Sequence, residues 1–243
     1  MRYKIIMSYN GAEFCGWQIQ PDAPSVQGAL EDALKTLLHS ETKVTGAGRT
    51  DTGVNASYYV AHFDSDVSID CAQICYKLNA ILPAGIAIKS ISAAADDFHA
   101  RFCATEREYT YFLHRCKDPF VEKFSWQYMF PDLDFDAMNL AAKELLGTHD
   151  FKCFEKTGAD NKTSICTVTE AGWHRTDEDH WYFRITADRF LRNMVRAIVG
   201  TLLEVGKGER DPDTMPELLS ALDRTKAGFT APAKGLILWD VYY

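Results

Sequence analysis

Residues 42–63 read TKVTGAGRTDTGVNASYYVAHF, and how they divide decides the fold of the first half of the chain. Thr42 to Gly46 has the β-branched content of a short strand, and Tyr58 to Phe63 the aromatic and β-branched content of a second. Upstream, Arg2 to Tyr9 (RYKIIMSY) alternates as a strand. Ser25 then stands as the cap of a helix whose Val26, Leu30, Ala33, Leu34, Leu37 and Leu38 recur at helical spacing. Downstream, a helix is expected from about Asp70 to Ile81, stopping before Pro83, followed by a fourth strand from Ile86 to Ala93. The order β, α, β, β, α, β is that of a split βαβ unit, an antiparallel sheet with both helices on one face.

The second half repeats the plan. Strand Glu106 to Arg115, helix Asp136 to Leu146, strands Thr163 to His174 and Trp181 to Ala187, helix Arg189 to Glu204 and a last strand Gly235 to Tyr243 follow in turn, with a short extra helix near Asp213 to Asp223. The expected fold class is therefore α+β, two split βαβ (ferredoxin/RRM-like) halves whose antiparallel sheets join across a central cleft. Residues 1–104 form the N-terminal half with the glycine-rich loop, and residues 105–243 the C-terminal half with an arginine-bearing helix. No linker of Pro, Gly or Ser marks the boundary.

The loop between the second and third strands, Gly46 to Val54, holds the chemistry. Gly46, Gly48 and Gly53 free the backbone for positive φ or for close approach of a ligand. Asp51 is the only acid in the stretch, and Arg49 lies two residues before it. A carboxylate beside a guanidinium stays ionised and aimed, fit to act as nucleophile, base or electrostatic anchor. The plainer reading of Asp51 is an Asx turn satisfying local donors, which leaves Arg49 unexplained.

In the helix expected over 189–204, Arg189, Arg192 and Arg196 share a stripe opposite Phe190, Met194, Ala197, Ile198 and Leu202. Guanidinium forks in a row match phosphate, although a solvated helix face accounts for the pattern equally well. On the strand from Glu106, Arg107, Tyr109 and Tyr111 fall on one side, where a tyrosine either stacks on a nucleobase or simply packs. Trp17 in GAEFCGWQ is either part of a site or a core plug. His99 and Arg101 in FHARF line a cleft or cap the fourth strand.

Composition narrows the class. The chain has 243 residues, 47% hydrophobic and 25% charged, as a globular protein does, and it opens with neither a cleavage-site pattern nor a long apolar stretch. A cytoplasmic protein without membrane association is expected. Cys15, Cys71, Cys75, Cys103, Cys116, Cys153 and Cys166 form no CxxC pair and no zinc-like spacing with histidine, so they are read as reduced thiols and no metal is expected. The net charge of −8 argues against nucleic-acid binding over the whole surface, not against a local basic site.

Three functions compete. Chemistry on a nucleic-acid base uses all of these features: Asp51 works, arginines hold phosphate and aromatic rings take the extruded base. An aspartic protease is suggested by the DTG of residues 51–53, but would need a second copy and an apolar approach in place of Gly48, Arg49 and Thr50. A non-catalytic RRM-type module would carry an aromatic RNP1 pattern, which is missing here.

YNGAEFCGWQIQP near the start, GAGRTDTGVNA, LNAILP, FHARF, REYTY, GTHDF, FLRNMVRAIVGTLLEVG and the closing GLILWDVYY resemble, in this order and over nearly the whole chain, the tRNA pseudouridine synthases of the TruA type. The resemblance implies isomerisation of uridine to pseudouridine at positions 38, 39 and 40 of the tRNA anticodon stem-loop, by a homodimer without metal or cofactor. It implies that Asp51 is the catalytic aspartate, Arg196 the basic residue that pairs with it and Arg49 the arginine of base flipping. It puts Tyr109 on the target uracil and makes Tyr109, Arg107, Arg192 and Arg189 substrate-binding. Two departures stand out: Asn55 occupies the place of the family's usual histidine, and Ser164 to Cys166 a stretch where an arginine is expected.

Overall fold

The computed structural model describes residues 1–130, 132–159 and 161–243. They gather into two compact units, Met1–Thr105 with Ile237–Tyr243, and Glu106–Leu236.

In the first unit β1 (Arg2–Tyr9) buries Tyr3, Ile5, Met7 and Tyr9 and leaves the alternate residues half-exposed, as a sheet covered on one face requires. Helix α1 (Val26–Leu38) starts where the Ser25 hydroxyl accepts from Gly28 N at 3.1 Å, and it fully buries Leu30 and Leu34. Glu31 of α1 is buried because its Oε1 accepts from Val44 N at 3.0 Å, which fixes the start of β2 (Val44–Gly46), shorter than the expected 42–46. β3 (Asn55–Asp64) starts three residues before the expected Tyr58. Helix α2 (Cys71–Ile81) is capped by Asp70 and closes at Leu82, ahead of Pro83. β4 (Ile86–Ala94) is tied to α2 by the Asn79 amide, which donates to Ile88 O and accepts from Ile88 N, both at 2.8 Å.

β1 lies between β3 and β4, antiparallel to both, and β2 pairs antiparallel with the far end of β3 (Thr45 opposite His62). This is the split βαβ order.

The strands of the second unit begin at Glu106. β5 (Glu106–His114) carries the two-residue β6 (Trp126–Gln127) at its far end; α3 (Phe135–Lys143), β7 (Gly147–Asp150), β8 (Ile165–Arg175) and β9 (His180–Ala187) follow. The antiparallel order is β5-β9-β8-β7. Asn139 of α3 pairs its amide with Trp173 N at 2.6 Å and Trp173 O at 3.1 Å, which covers part of β8 that β7 does not reach. Helix α4 (Met194–Gly206) is buried almost all round, and the short α5 (Met215–Ala221) follows. The last strand, β10 (Leu236–Tyr242), pairs with β3 in parallel at Ile237–Asn55 and Leu238–Ala56. The sequence-based division at residue 104 groups this strand with the second half; its residues from Ile237 onward belong to the first unit.

One expectation fails. The helix expected to begin at Arg189 begins at Met194, because the Asp188 carboxylate accepts from Arg189 N at 2.7 Å and Thr167 N at 2.8 Å, and Asn193 takes a left-handed φ of 64°. Arg189 and Arg192 therefore precede the helix, only Arg196 is on it, and the three do not form a helical stripe. A solvated helix face fails as well, since Arg196 and Glu204 are the only residues of α4 that are not buried.

Candidate active site

The segment from Gly46 to Val54 leaves β2 and returns into β3 through a turn closed by Val54 N donating to Asp51 O at 3.1 Å. Gly53 takes φ = 78° as its third residue, the requirement of a type II turn. Asp51 is half-buried at the turn's start and Arg49 is exposed. An aspartic-protease dyad needs its acid deep in an apolar strand, and this DTG is a turn instead.

The turn rests on aromatic rings. Trp17 stacks on Tyr59 with centroids 4.2 Å apart, and Tyr9 meets Tyr59 edge-on at 5.5 Å. All three are buried, and each reaches the loop. Tyr59 Oη donates to Gly48 O at 2.5 Å, Tyr9 Oη and Thr50 Oγ1 are 2.9 Å apart, and Trp17 N donates to Thr50 O at 3.3 Å. Gly46 is required by this packing: a Cβ there would lie 2.1 Å from Tyr59 Oη and 2.6 Å from the Trp17 ring. Gly48 has neither a positive φ nor a neighbour that a Cβ would meet, so sterics do not explain it.

Asn55 is buried at the base of the turn, where its Oδ1 accepts from Gly11 N at 2.8 Å and ties the loop after β1 to the start of β3. Gly53 N adds a longer bond to Phe14 O at 3.4 Å. Trp17, left open as a core plug, is thus both core and support. Tyr9 and Tyr59 are not singled out by the sequence reading. Their only signal is a hydroxyl on an otherwise apolar inward position, and a buried hydroxyl needs a partner.

The other expected residues lie in the second unit, and several meet there. Arg107 Nη1 donates to Asp188 O at 2.8 Å. The Tyr109 ring meets Phe190 edge-on, with centroids 5.0 Å apart and planes at 86°. Arg196 Nε donates to Ala231 O at 2.6 Å, and Ala231 N returns a bond to Arg196 O at 3.0 Å. Tyr111 Oη donates to Pro232 O at 2.9 Å; burial pushes this phenol well above its ordinary range, with the Arg196 charge opposing the rise. One side of β5 thus gathers Arg107, Tyr109 and Tyr111 against the 188–190 segment, Arg196 and the 231–232 segment. Arg189 lies within that group's 188–190 segment, whereas Arg192 is exposed in the turn before α4, its carbonyl accepting from Lys156 N at 2.9 Å. Ser164 to Cys166 offer no charge, and burial pushes the Cys166 thiol up to about 12.

A sequence profile described as tRNA pseudouridine synthase matches residues 141–243. A protein of Bacteroides fragilis named tRNA pseudouridine synthase A is 46% identical, covering 100% of this chain and 96% of its own length. One of Bacillus subtilis with the same name is 45% identical, covering 100% of this chain and 99% of its own. The chain belongs to the tRNA pseudouridine synthase family. Membership sets aside the protease and the non-catalytic RRM readings. Among the described residues no helix is long and apolar enough to cross a membrane.

Proposed function

We propose that this protein isomerises uridine to pseudouridine in the anticodon stem-loop of tRNA, at positions 38, 39 and 40, with Asp51 as the catalytic carboxylate and no cofactor. The observation that carries the proposal is full-length similarity to proteins named tRNA pseudouridine synthase A, combined with a GRTD turn supported by the buried Tyr9, Trp17 and Tyr59. The reaction breaks the bond from C1′ to N1, turns the uracil while it stays bound, joins C5 to C1′ and releases the C5 proton. Atoms and electrons balance within the substrate, so one carboxylate and a place to hold the free base suffice. Asp51 either attacks the sugar or base directly or removes the 2′ proton to give a glycal; both routes need an ionised, aimed carboxylate.

In this proposal Arg49 assists flipping of the target nucleotide, and Tyr109 stacks on its uracil with the ring held by Phe190. Arg196 serves as counter-charge to the carboxylate; Arg107, Arg189 and Arg192 hold phosphate as forked donors. The enzyme acts as a homodimer in the cytoplasm. The test is to map pseudouridine in tRNA incubated with wild-type protein and with Asp51→Ala. Conversion at the anticodon stem-loop by the first and none by the second supports the reading. Conversion by the variant, or none by wild type, refutes it.

A further inference from the structure

The segment after β4 is pinned at many of its backbone groups, yet it leaves one of its two phenylalanine rings in water. Phe98 N donates to Ala95 O at 3.0 Å, Cys103 N to His99 O at 2.9 Å, and Ala100 N to His62 Nδ1 at 3.1 Å. His99 Nδ1 accepts from both Arg101 N at 3.1 Å and Phe102 N at 3.2 Å. Tyr243 Oη donates to Ala100 O at 2.6 Å, and Arg2 Nη1 to the carbonyls of Asp96 and Phe98 at 2.8 and 3.0 Å. Phe102 nevertheless remains 76% exposed. A ring left in water forgoes the stabilisation that its burial would bring, and a turn so firmly held has no conformational need for one.

The ring is backed by two histidines in tilted and edge-on contact. His62 meets His99 with centroids 4.9 Å apart, His99 meets Phe102 at 4.3 Å, and the Arg101 guanidinium lies 5.6 Å from the Phe102 centroid. Two supported rings and a flanking cation form the arrangement that takes a nucleobase on its face and a phosphate at its edge. The acids nearby are engaged by another cation: Asp64, Asp96 and Asp97 all act on Arg2, whose fork binds Asp64 at 2.9 and 2.8 Å. The catalytic turn enters β3 at Asn55, whereas His62 lies seven residues along the same strand. At about 3.3 Å per residue the two ends are roughly 23 Å apart, so the turn at 98–102 is remote from Asp51.

We propose that this turn is a second RNA contact, in which Phe102 stacks on an unpaired base of the substrate and Arg101 binds an adjacent phosphate. It rests on the reading of the protein as an RNA-modifying enzyme. The contact adds binding without touching the reacting atoms.

The experiment measures tRNA binding by filter retention across a salt series, using Asp51→Ala protein to prevent turnover, alone and with Phe102→Ala, Phe102→Trp or Arg101→Gln. Phe102→Ala should weaken binding about ten-fold with an unchanged salt slope, and Phe102→Trp should restore it. Arg101→Gln should reduce the slope by about one. In otherwise wild-type enzyme, Phe102→Ala should raise KM and leave kcat unchanged. Equal binding by the alanine and wild-type residues overturns the proposal. So does a change of oligomeric mass in sedimentation with RNA affinity preserved, which would assign the ring to a protein contact. If the wild-type protein forms no pseudouridine and the Asp51→Ala protein binds no tRNA, it is the functional reading that fails.

Discussion

Gly46→Ala should destabilise this protein, although the same change at an unstrained position ordinarily stabilises. Gly46 does not have a positive φ, so the backbone accepts alanine, and reduced freedom of the unfolded chain would normally contribute about 0.4 to 1 kcal/mol of stability. Here the new methyl would lie 2.1 Å from Tyr59 Oη and 2.6 and 2.7 Å from two atoms of the Trp17 ring. Neither ring has room to retreat, since Tyr59 is 0% and Trp17 4% exposed. Overpacking of this kind costs about 1 to 3 kcal/mol, so the net loss is centred on about 1.3 kcal/mol and reaches about 2.6 kcal/mol. The displaced Tyr59 hydroxyl would also release Gly48 O, so activity should fall further than stability. Urea unfolding followed by fluorescence gives the first quantity, and pseudouridine formation at saturating tRNA the second. Tyr59→Phe removes the nearest clashing atom, so Gly46→Ala should cost less in that background, a coupling that a double-mutant cycle reads directly. Unchanged or increased stability in Gly46→Ala, with full activity, would refute the account of how the turn bearing Asp51 is held.

Asp51→Ala should abolish turnover while tRNA binding persists, because phosphate contacts supply most nucleic-acid affinity; a binding assay alongside the activity assay separates the two. Arg196→Ala loses a charged hydrogen bond to Ala231 O and should cost about 1.5 kcal/mol in urea unfolding, with a larger loss of activity. Arg196→Lys should not restore that activity, because the fork is lost, and full activity in either variant would misassign the residue. His62 is buried beside Arg2 and His99, and its pKa falls from 6.5 to about 4, burial being the main cause. The unfolded chain therefore takes up a proton between pH 6.5 and 4 that the folded chain refuses, so stability should fall as pH drops through that window and level off below it. His62→Asn, whose amide oxygen can still accept from Ala100 N, should flatten the pH dependence of the urea midpoint. An identical slope in both proteins would show that another group controls it.

Much of the fold was legible because burial and period coincide. β1 was read at Arg2–Tyr9, the range observed, since every inward residue is apolar and every outward one tolerates water. α1 announced itself by Ser25 and by Leu30 and Leu34 a turn apart. β7 was missed because Gly147–Asp150 (GTHD) has no apolar alternation; its place comes from pairing with β8 and from the Thr148 and Thr167 hydroxyls 2.9 Å apart. The expected start at Arg189 rests on Phe190 continuing the apolar stripe of Met194, Ala197, Ile198 and Leu202 backward. The break is a local hydrogen-bond matter of Asp188 and Asn193, and periodicity does not record it, although asparagine is a residue that tolerates left-handed φ. That the last strand pairs with β3 is a long-range fact, and LILWDVY specifies a strand without naming its neighbour.

The site was legible in the same uneven way. GRTD marks Asp51 and Arg49 because glycine, arginine and acid in one short stretch are hard to explain as packing. What holds them is spread over Tyr9, Trp17, Asn55 and Tyr59, each of an ordinary type in an ordinary position. A catalytic carboxylate works only if its position is fixed before the substrate arrives, since the cost of fixing it otherwise falls on the reaction. Here that demand conflicts with the glycine needed to make the turn, because glycine loses the most entropy on ordering. The resolution is to bind the loop through groups that cannot move themselves: Gly48 O to a phenol stacked on an indole, Thr50 to a phenol of β1, and the loop after β1 to Asn55. Flexibility is therefore a property of this loop's sequence and rigidity a property of its surroundings, which is why the first could be read from neighbouring letters and the second could not.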